Sequence, residues 1–413
     1  MFWYKIGISF LSLGINIGAL FIPKLKLRKN GQLAFKRLNK TIPKWNKKDF
    51  VVWIHAPSLG EFEQAIPIIE KIKTDFPTHK ILLSFFSPSG YEAQKNYFLA
   101  DLVTYLPLDS EKNAKEFIAY YQPKLAIFIK YDFWYYFYKQ CKESKIPLFC
   151  VSTLFRSSQS FFTNKLKFNN VLNFVTHFFV QNEESKKLLK KINLNNSTVS
   201  GDTRFDRVLS LRDSTIDLGL IHTFASSQTT FVVGSSWQKD IEIIKDFILA
   251  NPNIKTIIAP HEINPSQIKA IITILGVPCL LFSEIKQKDL ENYNILIINK
   301  IGLLKHIYSI ASFAYVGGGF GKGLHNILEA STFGAPVIFG PKYNKFKEAV
   351  DLIEKKGAFY VSNKNEFSQR AQNLLDTKFR KETSAINVDF VNQNGGATLK
   401  IIQHLTPYLL NEN

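Results

Sequence analysis

Two series of short apolar runs, each run closing in a turn and giving way to a segment of helical spacing, constrain this chain more than any other feature. The first series occupies residues 51–56, 81–86, 102–107, 125–129, 148–152 and 178–181. The second occupies 231–234, 256–259, 278–282, 295–298, 313–316 and 336–339. Runs of four to six apolar residues read as strands buried on both faces, and such strands need helices packed over both sides of a parallel sheet. Between them, Glu61 to Lys73 repeats apolar residues at helical spacing (Ile66, Ile69, Ile72). The polar stretch 209–230 separates the series, so the expected architecture is α/β, with two doubly wound Rossmann-like domains. In such sheets ligands bind at the carboxyl ends of the strands, and the two sets of ends are expected to face a central cleft. The expected division is 1–30, 31–210, 211–390 and 391–413, the last segment a helix packing back on the first domain.

The densest motif is 315–346, YVGGGFGKGLHNILEASTFGAPVIFGPKYNKF. An apolar strand runs into Gly317, Gly318, Gly319, Gly321 and Gly323, and a helix is expected to restart at Asn326. Backbone N–H groups released by that arrangement converge on one point and suit a phosphate. Glu329, in the first turn, suits a pair of ribose hydroxyls. The same glycines also suit close packing, and an acidic first turn also suits the helix dipole. The spacing is neither the dinucleotide fingerprint nor a P-loop.

Residues 2–22 are apolar for about the length that crosses a bilayer. Lys24, Lys26, Arg28 and Lys29 follow, a flank that the positive-inside rule keeps cytosolic. A membrane-anchor helix is therefore expected, and a helix lying in the interface has the same letters. The formal net charge of +18 fits an anionic surface or an acidic substrate. Without Arg-Gly repeats, a basic tail or zinc spacing, it points away from nucleic acid. Cys141, Cys150 and Cys279 lie in or beside apolar runs and form no CxxC. No H-x-x-x-H or D-x-D accompanies them, so no metal is expected.

Several polar residues stand at strand ends. Ser58-Leu59-Gly60-Glu61 follows the first strand. Glu61 there suits a general base, and Ser58 with Glu61 also has the spacing of a helix-capping pair. Lys130 and Asp132 follow the fourth strand beside Trp134; they suit a bound sugar or an exposed loop. Arg204 suits a carboxylate or phosphate, or a surface pair with Asp206. Ser235 and Ser236 end the first strand of the second series, and Pro260 and His261 end its second.

These pieces, in this order, resemble the 3-deoxy-D-manno-octulosonic acid (Kdo) transferases of lipopolysaccharide synthesis, a GT-B family. His55-Ala56-Pro57-Ser58-Leu59-Gly60-Glu61 matches H-A-x-S-x-G-E, and Gly317-Gly318-Gly319 with His325-Asn326-Ile327-Leu328-Glu329 is similar to G-G-S…H-N-P-L-E. The resemblance covers nearly the whole chain. It implies an inverting, metal-free transfer of Kdo from CMP-Kdo, a co-substrate rather than a cofactor, to the primary hydroxyl of a lipid A precursor at the cytoplasmic face of the inner membrane. It implies Glu61 as general base, Arg204 in place of a transition-state lysine, and Asp132 as the acidic partner of E-T-E-x-W. Ser58, Gly60 and Lys130 would meet the acceptor. Ser235, Ser236, Pro260, His261, Ile301, Gly302, Leu303, Gly318, Gly319, Asn326, Ile327, Leu328 and Glu329 would meet CMP-Kdo. The chain departs from the family where Lys130 replaces a glutamate, Arg204 a lysine, Ile327 a proline and Leu303 an acidic residue. The residues by themselves also fit a GT-B transferase or epimerase using a UDP-sugar, or a non-catalytic protein that binds lipid or polyanion.

Overall fold

Seven parallel strands form the first sheet: β1 (Val51–Ala56), β2 (Lys80–Phe85), β3 (Leu102–Tyr105), β4 (Leu125–Ile129), β5 (Leu148–Thr153), β6 (His177–Val180) and β7 (Ser197–Val199). Their order is β3-β2-β1-β4-β5-β6-β7. Successive side chains of β1 go to opposite faces, Val51 and Trp53 to one core and Val52, Ile54 and Ala56 to the other. Trp53 is fully buried against Phe117, Phe128 and Phe137. In this computed structural model the described residues are 2–38, 44–130, 132–163, 168–213, 216–225, 228–287, 290–321 and 323–410. They divide into one unit of Met1–Arg207 with Gly395–Asn413, and a second of Val208–Asn394.

The second unit carries another parallel sheet: β8 (Thr230–Ser236), β9 (Lys255–Pro260), β10 (Leu280–Leu281), β11 (Ile295–Ile297), β12 (Phe313–Val316), β13 (Val337–Phe339) and β14 (Ala358–Tyr360). Its order is β10-β11-β9-β8-β12-β13-β14. In each sheet the first strand has one neighbour close in sequence and one distant: β1 lies between β2 and β4, and β8 between β9 and β12. The crossovers therefore leave in opposite directions at β1/β4 and at β8/β12. A crevice opens there beyond the carboxyl ends of the strands.

The last helix, Ala397–Leu409, buries Ile401, Ile402, Leu405 and Leu409 in the first unit's core. Asp206 caps it, accepting from the backbone of Gly396 (2.5 Å) and Thr398 (2.7 Å) and from the Thr398 hydroxyl.

The N-terminus corrects the expectation of one anchor helix over 2–22. The first helix, Phe2–Gly18, has 17 residues, about 25 Å. The chain then turns, and a second helix, Pro23–Arg37, leaves at 118° with proline in its first turn. Gly18 packs directly against the end of the Leu25 side chain across this turn. Among the described residues no single helix is long and apolar enough to cross a membrane. Ile15, Ala19 and Arg28 are buried, whereas Phe10, Leu13, Ile17, Leu20 and Phe21 are exposed, Phe21 to 80%.

Candidate functional site

In the first unit the polar residues collect at the β1/β4 switch point. The helix Leu59–Asp75 starts directly after β1, so Glu61 falls in its first turn. Lys130 directly follows β4 with a left-handed backbone (φ 62°), a conformation costly for a side chain with a Cβ and typical of functional turns. That turn brings Lys130 Nζ to 2.8 Å from Glu61 Oε1. The Ser58 hydroxyl donates to Glu61 Oε2. Glu61 is 19% exposed. Burial alone would push its carboxyl up, but Lys130 and Ser58 together hold it below the usual glutamate range. It is thus an ionised carboxylate at a crevice mouth, with a cation beside it.

Behind this pair runs a buried chain. Trp53 Nε1–H donates to Ser84 Oγ (2.8 Å), Ser84 lies 2.9 Å from His55 Nδ1, and His55 Nε2 lies 2.9 Å from Asp132. His55 thus turns Nδ1 to the Ser84 hydroxyl and Nε2 to the Asp132 carboxylate. Trp134 Nε1–H also donates to Asp132 (2.6 Å). Asp132 is therefore oriented by two donors, while Tyr131 lies outside the described residues. Asp206 caps the last helix, and Arg204 pairs with Asp202. Its Nε and Nη2 donate to Asp202 (3.1 and 3.0 Å). Asp202 also accepts from Gln64, one turn beyond Glu61, and from Gln181. This sets the Asp202–Arg204 turn against the helix that carries Glu61.

In the second unit the expected residues gather at the β8/β12 switch point. Ser235 takes a left-handed backbone (φ 51°) at an irregularity in β8. Gly234 must be glycine, because a Cβ would overlap the Tyr308 hydroxyl. His261, directly after β9, donates its backbone N–H to Ser236 O (3.0 Å). Its ring stacks on His325 (4.4 Å between centroids) and lies 4.6 Å from Trp237. Trp237 Nε1–H donates to His325 Nε2 (3.3 Å). Burial, with His261 adding, pushes the His325 imidazole down to about 4, so it is neutral and accepts.

The glycine turn differs from expectation in two respects. The helix is a single turn, Leu328–Ser331, with Asn326 Oδ1 accepting from Leu328 N (3.1 Å) and Gly334 (φ 79°) just beyond it. The glycine amides are also partly spent internally: Gly317 N donates to Gly234 O and Gly318 N to Asp240 (3.1 Å). Asp240, buried, further accepts from Trp237 N (2.8 Å) and the Tyr315 hydroxyl (2.7 Å). It ties the turn to the helix Gln238–Ala250. Lys342 adds a cation, its Nζ 2.9 Å from Gly321 O. Glu329 accepts from Asn326 Nδ2 (3.2 Å). Ile301 is exposed, Gly302 is left-handed (φ 93°), and Leu303 precedes the helix Leu304–Ile307. Sequence reading missed His55, Ser84, Asp202, Asp240 and Lys342. Asp240 has a local signal in its capping distance from Trp237, and His55 one in opening the stretch that resembles H-A-x-S-x-G-E. No cluster of His, Cys, Asp and Glu able to hold a metal ion occurs among the described residues.

Comparison with known proteins adds to this geometry. The family model described as 3-Deoxy-D-manno-octulosonic-acid transferase (kdotransferase) matches residues 32–207. The 3-deoxy-D-manno-octulosonic acid transferase of Aquifex aeolicus is 27% identical over 360 residues, 84% of this chain and 92% of that protein. That of Haemophilus influenzae is 26% identical over 376 residues, 87% of each. Among solved structures, the UDP-GlcNAc 2-epimerase of Neisseria meningitidis shares the fold, with TM-score 0.62 and 15% identity over 88% of this chain and all of that one. The glycosyltransferase of Rickettsia africae does likewise, with TM-score 0.55 and 12% identity over 89% and 100%. Over residues 32–207 by the family model, and over most of its length by these relatives, the chain is similar to Kdo transferases.

Proposed function

We propose that this chain moves Kdo from CMP-Kdo to the primary hydroxyl of a lipid A precursor, lipid IVA, without a metal, at the cytoplasmic face of the inner membrane. The observation that carries this reading is Glu61, an ionised carboxylate held at the β1/β4 crevice by Lys130 and Ser58. In the reaction Glu61 takes the proton of the acceptor hydroxyl as its oxygen attacks the anomeric carbon from the face opposite CMP. The C–O bond to the phosphate breaks, and CMP leaves with inversion. Arg204 offers a permanent cation to the charge that grows on the departing phosphate. Asp132, fixed by His55 and Trp134, offers a carboxylate to the oxocarbenium-like centre. The second unit would hold CMP through Ser235, Ser236, Pro260, His261, the 301–303 turn, Gly318, Gly319 and 326–329. There Gly318 would act through its shape and carbonyl, since Asp240 takes its N–H.

The exposed apolar residues of the N-terminal helical hairpin, beside Lys24, Lys26 and Lys29, would rest this unit on an anionic leaflet. The test is incubation of the purified chain with CMP-Kdo and lipid IVA, followed by mass spectrometry of the lipid. Kdo-bearing lipid is expected, and unchanged lipid with active donor present would refute the reading. CMP should raise the melting temperature where UDP does not; stabilisation by UDP alone would favour a UDP-sugar enzyme instead.

A further inference from the structure

Asp132 is held from two sides, and the two holds differ in firmness. His55, on β1, is fully buried and is itself fixed by Ser84 (2.9 Å). Trp134 is half-buried in the segment after β4, and its Nε1–H reaches Asp132 at 2.6 Å. The Trp134 ring therefore needs backing. Phe86, directly after β2, supplies it, with 4.8 Å between the ring centroids and 34° between the planes. Behind Phe86 stands Arg28 of the helix Pro23–Arg37, its guanidinium 4.2 Å from the centre of the Phe86 ring.

Arg28 is 2% exposed, and among the described residues its Nε and Nη1 have no hydrogen-bond partner. Its Nη2 donates to the carbonyl of Leu106 (2.5 Å), directly after β3. Burial pulls its pKa down to about 10, with Tyr105 and Asp132 acting upward, so it stays charged at neutral pH. A buried cation so sparsely bonded costs more than an apolar side chain of its size. What it adds over such a side chain is a charge on a flat face. That face suits the Phe86 ring, and the charge is attracted to Asp132. The first helix bears on the same segment. The Tyr4 hydroxyl donates to Asp109, which accepts from the backbone of Tyr136 (3.0 Å) and Phe137 (3.1 Å) where the helix Tyr135–Glu143 starts. Both arms of the N-terminal hairpin thus steady residues 132–137.

We propose that Arg28 is a positioning residue for the transfer reaction, holding the Asp132 carboxylate in place through Phe86 and Trp134. The proposal rests on the transfer reading, which gives Asp132 its task. It makes the hairpin, the element set to meet the leaflet, a working part of the β1/β4 site as well.

The test is a double-mutant cycle on the full chain: Arg28→Met, Trp134→Phe and the pair, assayed for Kdo transfer from CMP-Kdo to lipid IVA. Each single change should lower kcat about tenfold. KM for CMP-Kdo and the thermal stabilisation by CMP should stay as they are, because the loss falls on the chemical step. One route carries both residues, so the pair should be no slower than Trp134→Phe alone. Losses that multiply to about a hundredfold would overturn the proposal. Arg28→Lys, which keeps a cation behind Phe86, should recover most of the rate. A second readout needs no turnover: the indole N–H resonance of Trp134, one of five tryptophans, identified by its loss in Trp134→Phe. Arg28→Met should shift it while the Trp237 resonance stays in place, and an unmoved Trp134 resonance would overturn the proposal. If Arg28→Met fails to fold by circular dichroism, Phe86→Leu, which removes the ring between Arg28 and Trp134, takes its place in both measurements. An unmodified chain that transfers no Kdo would refute the transfer reading, and the resonance alone would then decide whether Arg28 holds Trp134 and Asp132.

Discussion

Glu61 and Lys130 form the pair on which the proposed chemistry turns. A base held ionised by a cation accepts a proton less eagerly, but it is in the right state throughout the neutral range. Replacing Lys130 with Met removes the charge that holds Glu61 low and leaves burial, which acts upward. The acid limb of the kcat/KM profile should therefore move to higher pH in Lys130→Met; an unmoved limb would show that the pair does not set the base. Asp240 is the corresponding residue of the second unit. Asp240→Ala leaves the N–H groups of Trp237 and Gly318 and the Tyr315 hydroxyl without their acceptor, at a cost of about 1–3 kcal/mol for each buried donor left unmet. Affinity for CMP, read by titration calorimetry, should fall about tenfold or more, and unchanged affinity would detach the glycine turn from donor binding. At this scale the sequence revealed residue types and strand ends but not partners. Glu61 and Lys130 are 69 positions apart, and only the adjacency of β1 and β4 joins them. Nothing near Arg204 in sequence says that Asp202 rather than Asp206 would hold it.

At the scale of elements, the long apolar runs were legible because a strand covered on both sides has no polar residue to disguise it. β1, β4 and β12 fall where their apolar runs lie. β7 and β14 were not legible. Both are three-residue edge strands, and Ser197-Thr198-Val199 shows no apolar run. The helix expected from Asn326 is cut to one turn, with the left-handed Gly334 following three residues after it. The anchor misled for a related reason: hydropathy counts letters and cannot see the chain turning between Gly18 and Pro23.

The last helix yields a pH prediction. His79 Nε2 lies 3.0 Å from Leu409 O, and the His177 and His404 rings stand 4.2 Å apart. Burial lowers all three imidazoles, His177 to about 4 with His404 adding to the effect. The unfolded chain then takes protons near the ordinary value of about 6.5 while the folded chain resists. Stability from these sites is complete above that value and declines as pH falls from 6.5 toward 4. Amide protection in Ala397–Leu409, taken relative to the intrinsic exchange rate at each pH, should fall across this window. His177→Phe should blunt the change, and protection independent of pH would exclude the histidines.

Over the whole molecule, the same solution appears twice: a parallel sheet, a switch point beside its first strand, and strained or glycine-rich turns at the strand ends. Composition bounded the class: 46% apolar residues suit the two folded units, and the charge of +18 suits an anionic surface or substrate as the proposed function requires. If the hairpin rests on a leaflet, exchanging Phe10 and Phe21 for Ser should weaken sedimentation with anionic vesicles by about tenfold or more. Circular dichroism should be unaltered, because both side chains are exposed; undiminished sedimentation would place the contact elsewhere. The central claim is that Glu61 removes the acceptor's proton. The most direct measurement is Kdo transfer to lipid IVA by the Glu61→Gln protein, with CMP-induced thermal stabilisation recorded on the same sample. The account predicts a loss of transfer of at least a hundredfold with the stabilisation retained, whereas transfer at the unmodified rate would contradict it.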